Sequence, residues 1–158
     1  MFFSNKSSAI LGMNARNLVY LSKYNSTADK RFADDKIYTK NFLQSRNIGA
    51  AKLYHVVKND HQLTDEFFAG LPDKFVIKPN TGFAGAGILV IVEKKNQNWI
   101  TISGKKIDSE HLRLHCIEIL EGKYSISGVH DDVIFEEVLE AHPDFRILTE
   151  SGLPDIRV

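Results

Sequence analysis

Apolar residues fall first at helical spacing and then in short strand-like runs. Over residues 8–24, Ile10, Leu11, Leu18, Val19 and Leu21 follow a pattern closer to a helix than to a strand, which predicts an N-terminal helical region. Asp34 or Asp35 can cap a second helix over residues 36–46, with Ile37, Phe42 and Leu43 inward and Asn47-Ile48-Gly49 as its stop. Residues 52–57 read as a strand. A short helix over residues 63–69 buries Leu63, Phe67 and Phe68, and Pro72-Asp73 then turns the chain into the strand that starts at Phe75. Further strands are expected over residues 88–93 and 99–103, joined by a polar turn, and Asp108 or Ser109 caps a helix running to Leu120. Strand-like pieces over residues 134–139, 145–149 and 156–158 complete an α+β chain built on an antiparallel sheet.

The chemistry concentrates between the strand at Phe75 and the aliphatic run Ile88-Leu89-Val90-Ile91-Val92. There Lys78-Pro79-Asn80-Thr81 leads into Gly82, Gly85 and Gly87. Three glycines in six positions let the backbone take left-handed conformations, and successive exposed N–H groups can form an anion-binding concavity. Lys78, at the end of the first strand, adds a compact positive charge suited to phosphate oxygens. A helix would have to follow the last glycine in either a dinucleotide fingerprint or a P-loop, and here a β-branched run follows instead. The spacing is G-x-x-G-x-G, and Gly104-Lys105-Lys106 lacks the hydroxyl of a P-loop. Two readings stay open: a flap that closes over nucleotide phosphates, or an ordinary hairpin whose glycines only turn the chain.

Composition narrows the field. The 158 residues are 43% hydrophobic, enough for a core of one domain's size. Lys plus Arg and Asp plus Glu both number 20, so bulk charge points to neither nucleic acid nor an anionic membrane. One cysteine, Cys116, allows no internal disulfide and fits a reducing, cytoplasmic setting. No apolar run has signal-peptide or membrane-spanning character.

Four segments carry a resemblance in order: ILGMNARNLVYLSKYN, ADDKIYTKNFL, FVIKPNTGFAGAGILVI and GLPDIRV. The chain resembles α-L-glutamate ligase-like, sugar-transfer-associated ATP-grasp proteins over nearly its whole length. The resemblance implies a helical region over residues 1–50 and a nucleotide-binding portion over residues 51–158 whose antiparallel sheet carries a glycine-rich lid. It makes Lys36 and Lys78 the nucleotide-binding lysines, with Lys78 on the α- and β-phosphates. It makes Asn80, Thr81, Gly82, Phe83, Ala84, Gly85, Ala86 and Gly87 the lid. Glu136, Glu137, Val138 and Leu139 become the adenine-binding hinge, with the Glu137 carbonyl accepting from the amino group and the Leu139 N–H donating to the ring. Asp155 and Arg157 alternate with Ile156 and so share a strand face; in the family such an Asp lies near the ribose and phosphates, while a surface ion pair is the plainer alternative.

ATP-grasp ligases use Mg²⁺ held by late Asp, Glu and Asn residues. No Asn follows Asn98 here, and after the hinge the carboxylates are Glu140, Asp144, Glu150 and Asp155. The expectation is therefore the nucleotide-facing portion of a larger ligase, ending before the metal-binding strands and inactive by itself. Its last strand would leave a sheet edge open to self-association. Other constellations are weaker. His111 and His115 are spaced to share a metal on one helix face, but no second ligand cluster accompanies them and Cys116 points elsewhere. Ser103, Ser109 and Ser125 lie in no nucleophile elbow. Two functions remain: an ATP-dependent ligase joining an unknown carboxylate and amine through an acyl-phosphate, or a nucleotide-binding or structural module derived from that fold.

Overall fold

The computed structural model describes residues 11–96, 98–125 and 128–148. The chain opens on a helical run, π-helical over Ala15–Leu21 and α-helical over Ser22–Tyr24 (α1). None of it is buried, and Leu18 is 72% exposed. The apolar spacing that predicts this helix does not mark a core face, because a helix needs a second layer to bury its stripe and none covers it among the described residues.

The apolar pattern misses α2, Thr27–Asp34, because its start signal is polar. Ser26 Oγ accepts from Asp29 N while the Asp29 carboxylate accepts from Ser26 N, a capping box. Asp35 then caps α3, Lys36–Gln44, through Tyr38 N. The helix ends two residues before the expected Arg46 in a Schellman motif: Ile48 N and Asn47 N bond back to Leu43 O and Gln44 O, with Asn47 left-handed at φ 57. Ile37, Phe42 and Leu43 are only half-buried, and the one buried side chain of α3 is Lys40.

Six strands form one sheet in the order β1-β6-β2-β3-β4-β5, with every neighbouring pair antiparallel. They are β1 Leu53–Val57, β2 Phe75–Pro79, β3 Leu89–Lys95, β4 Asn98–Thr101, β5 Lys106–Ile107 and β6 Val133–Glu136. The core lies on one face. There Val57, Phe75, Ile77, Ile91, Trp99, Val133 and Phe135 pack with Phe68 of α4 (Asp65–Ala69) and with Leu112, Cys116 and Ile119 of α5 (Ser109–Leu120). Strand alternation puts Val76, Lys78, Ile134 and Glu136 on the opposite face.

Several expected boundaries move. The helix expected from Leu63 starts at Asp65, because Thr64 Oγ1 caps it through Phe67 N; Leu63 stays buried at the end of a 3₁₀ turn. Residues 88–93 become Leu89–Lys95, and 99–103 become Asn98–Thr101, since Gly104 N turns back onto Thr101 O. The strand expected over 134–139 is Val133–Glu136 and leaves its ladder at Glu137, whose N–H bonds to Lys52 O. The strand expected over 145–149 is instead a 3₁₀ helix, Pro143–Leu148. Pro143 lacks a ladder donor and its ring presets a helical φ, and Phe145 N closes the first turn on His142 O. Residues 156–158 lie outside the described residues.

Candidate functional site

The loop from Asn80 to Ile88 joins β2 to β3, so its two ends leave the sheet side by side. Ala84, Gly85 and Gly87 are left-handed, at φ 51, 77 and 76. Glycine is required at its two ends for different reasons. A Cβ on Gly82 would meet Pro79 Cγ at 2.1 Å, and one on Gly87 would meet the Tyr124 ring at 2.7 Å in addition to its positive φ. Between them Ala86 N donates to Phe83 O and Ile88 N to Gly85 O. The N–H groups of Ala84, Gly85 and Gly87 have no acceptor among the described residues, and Phe83 is 49% exposed at the tip.

Lys36 and Lys78 converge on the start of this loop from different elements. Lys36, first residue of α3, donates from Nζ to Asn80 O at 2.9 Å and to Gly82 O at 2.8 Å, leaving one ammonium hydrogen uncommitted. Burial pushes its pKa below the usual lysine value and the charge of Lys78 pushes the same way, while Asp131, Asp34 and Asp35 oppose them. Lys78 pairs with Glu136 Oε1 across the β2–β6 ladder. Asn80, 7% exposed, is committed to the scaffold: its Oδ1 accepts from Ile37 N and its Nδ2 donates to Asp35 Oδ1.

Sequence reasoning missed Lys40. Its buried Nζ donates to Ala51 O at 2.6 Å and sits 2.9 Å from Glu136 Oε2, an ion pair by distance that lacks hydrogen-bond geometry at that oxygen. Glu136 therefore stands between two lysines, with its side chain fixed beside Lys78. The signal was available: Lys40 follows Lys36 by four residues, on the same face of α3. Asp131 was missed as well, and its carboxylate accepts from Thr81 N.

Beyond β6, Glu137 is tied to Lys52 at both ends, its N–H donating to Lys52 O and its Oε2 accepting from Lys52 N at 3.1 Å. Val138 is half-buried and Leu139 exposed. Asp155 and Arg157 lie outside the described residues. His111 is held by Asp108, and His115 Nε2 lies 3.0 Å from Gly87 O. Cys116 is buried among apolar side chains, which pushes its thiol up to about 12. No group of three His, Cys, Asp or Glu side chains placed to hold a metal occurs among the described residues. No described helix is long and apolar enough to cross a membrane.

The α+β fold thus carries, on one antiparallel sheet, a glycine loop with two lysines at its root and N–H groups that lack an acceptor among the described residues. The chain belongs to the sugar-transfer associated ATP-grasp family, whose model matches residues 15–158. No curated protein and no solved structure matches the chain. The family makes this an ATP-binding module of the ligase type.

Proposed function

We propose that the chain binds ATP over the sheet face that carries Lys78, as the nucleotide-binding portion of a carboxylate–amine ligase of the glutamate ligase-like kind that works through an acyl-phosphate. The observation that carries this reading is the convergence of Lys36 and Lys78 at the root of a loop with unpaired N–H groups. Two ammoniums near enough for one to depress the other's proton affinity favour an anion beside them. The phosphates supply it, with the loop as lid and the N–H groups of Ala84, Gly85 and Gly87 turning toward their oxygens. Glu136 holds Lys78 at its station, and adenine lies against Glu137, Val138 and Leu139. The Lys52 contacts use the Glu137 N–H and carboxylate and leave its carbonyl for the adenine amino group.

These residues fit the phosphates and the base. For Mg²⁺, which this family uses with ATP, no ligand cluster occurs among the described residues, so no step is assigned to it here. The second reading is a module that binds nucleotide without turning it over. The deciding experiment is calorimetric titration of the 158-residue chain with ADP and a non-hydrolysable ATP analogue, beside Lys78→Ala. The expected result is micromolar-range binding by wild type and at least about tenfold weaker binding by the variant, the loss of one charge-assisted contact. Equal affinity removes Lys78 from the site. Phosphate release that depends on an added carboxylate and amine would favour the ligase over the non-catalytic module.

A further inference from the structure

The root of the glycine loop rests on a buried carboxylate. Asp131, 4% exposed, lies just before β6, and its two oxygens accept from Thr81 N at 3.0 and 2.9 Å. Oδ1 also accepts from Asp132 N at 2.9 Å. A carboxylate taken out of water ordinarily needs a cation or several donors. Asp131 has no ion pair among the described residues; backbone N–H dipoles and the nearby charge of Lys36 meet its charge. A backbone carbonyl or a water would satisfy the Thr81 N–H at lower cost, so a buried charge at this point calls for a reason beyond closing the sheet.

The surroundings supply that reason. Asn80 N donates to Asp132 O at 2.9 Å and Lys36 Nζ bonds Asn80 O and Gly82 O, so three successive loop residues are fixed at one end. Gly82 is bridged to Ser125, and at the other end Gly87 packs on Tyr124 with its carbonyl beside His115 Nε2. Residues 83–86 between these anchors carry the exposed Phe83 and unpaired N–H groups.

We infer that Asp131 is the positioning residue of the loop: its carboxylate fixes Thr81 and so sets the origin from which residues 83–86 close over the phosphates of a nucleotide. This rests on the ATP-binding reading and adds to it a residue that touches no part of the nucleotide. Only a short tip has to be ordered on binding, which keeps the entropic cost of closure small. The negative charge also offsets part of the repulsion between Lys36 and Lys78 in the empty site.

The test is residue-resolved amide exchange by NMR on the 158-residue chain, with and without ADP. In wild type, Thr81 is expected to exchange more slowly than Ala84 and Gly85, and ADP is expected to slow Ala84 and Gly85 while leaving Thr81 unchanged. Asp131→Ala, which removes both acceptor oxygens from Thr81 N, is expected to speed Thr81 exchange by about tenfold or more and to weaken ADP binding about tenfold, with unfolding still cooperative, and Asp131→Asn, which keeps one acceptor oxygen but loses the charge, is expected to show the same changes to a smaller degree. Asp132→Asn, the neighbouring and more exposed carboxylate, is expected to change neither. A purely structural role would lower the melting temperature and raise exchange evenly across the sheet. Thr81 exchanging as fast as Ala84 in wild type overturns the inference even if the variant fails to fold. ADP binding equally to wild type and Asp131→Ala overturns it while leaving the ATP-binding reading intact. Failure of wild type to bind ADP fells that reading and the nucleotide half of the inference together, and Thr81 exchange still decides the anchoring.

Discussion

Glu136 between two lysines gives the sharpest quantitative expectation. Lys40→Met keeps most of the buried stem and removes the ammonium, forfeiting a 2.6 Å bond to Ala51 O and the contact at 2.9 Å to Glu136. A hydrogen bond to a charged group is worth about 1.5–3 kcal/mol, and Glu136 is not orphaned because Lys78 remains, so the cost should be about 2–3 kcal/mol. Glu136→Gln is worse. It leaves two ammoniums converging on a neutral amide inside the fold, and breaking a buried pair from one side costs about 3–5 kcal/mol. In the double variant the removal of Lys40 relieves that repulsion, so its cost should fall short of the sum by about 1–3 kcal/mol. Urea unfolding of the four proteins, extrapolated linearly and checked for a constant slope, measures the cycle. Additivity within about 0.5 kcal/mol would mean that Lys40 and Glu136 act independently and that the pairing described here is wrong.

Three further expectations follow from the same geometry. Gly87→Ala must strain φ 76 and press a Cβ onto Tyr124, whereas Gly85→Ala strains φ 77 in open space, so the first should cost about 1–2 kcal/mol more; equal melting temperatures would refute the packing of Gly87 on Tyr124. His115 has its pKa lowered below 6.5, first by burial, with the Lys123 charge assisting and the Gly87 carbonyl and Glu118 opposing. The unfolded chain therefore binds more protons at this site, so the stability it supplies is complete above about pH 6.5 and drains as pH falls below that value toward the lowered native one. Denaturant midpoints of His115→Gln should vary less with pH than wild type below about pH 6.5, and parallel curves would exclude His115 as the source. Cys116, buried with its thiol pushed up to about 12, should react with a thiol reagent only at the rate of unfolding; prompt labelling of the native chain would place it at the surface.

Elements whose signals are local are legible in the residues alone. Caps at Asp34 or Asp35 and at Asp108 or Ser109, the stop at Asn47, the strands flanking the glycine loop and the antiparallel character of the sheet follow from a few neighbouring residues, and the structure selects Asp35 and Asp108 as the caps. The family resemblance singled out Lys36 and Lys78, and the structure sets Lys36 against the loop root through Asn80 O and Gly82 O. Local signals also misled where burial decides: the apolar residues of the first helix stay exposed, and residues 145–148 curl into a 3₁₀ helix after Pro143 although their side chains suit a strand. The position of β6 between β1 and β2 emerges only in the folded chain, because strand order in a sheet is fixed by long-range pairing that no local pattern encodes. That order brings Glu136 beside Lys78, lets Lys40 reach it from α3, and carries Asp131 to Thr81, fifty residues earlier in the chain. A buried charge is legible only once its partners are in place, since its cost and its purpose both depend on what surrounds it.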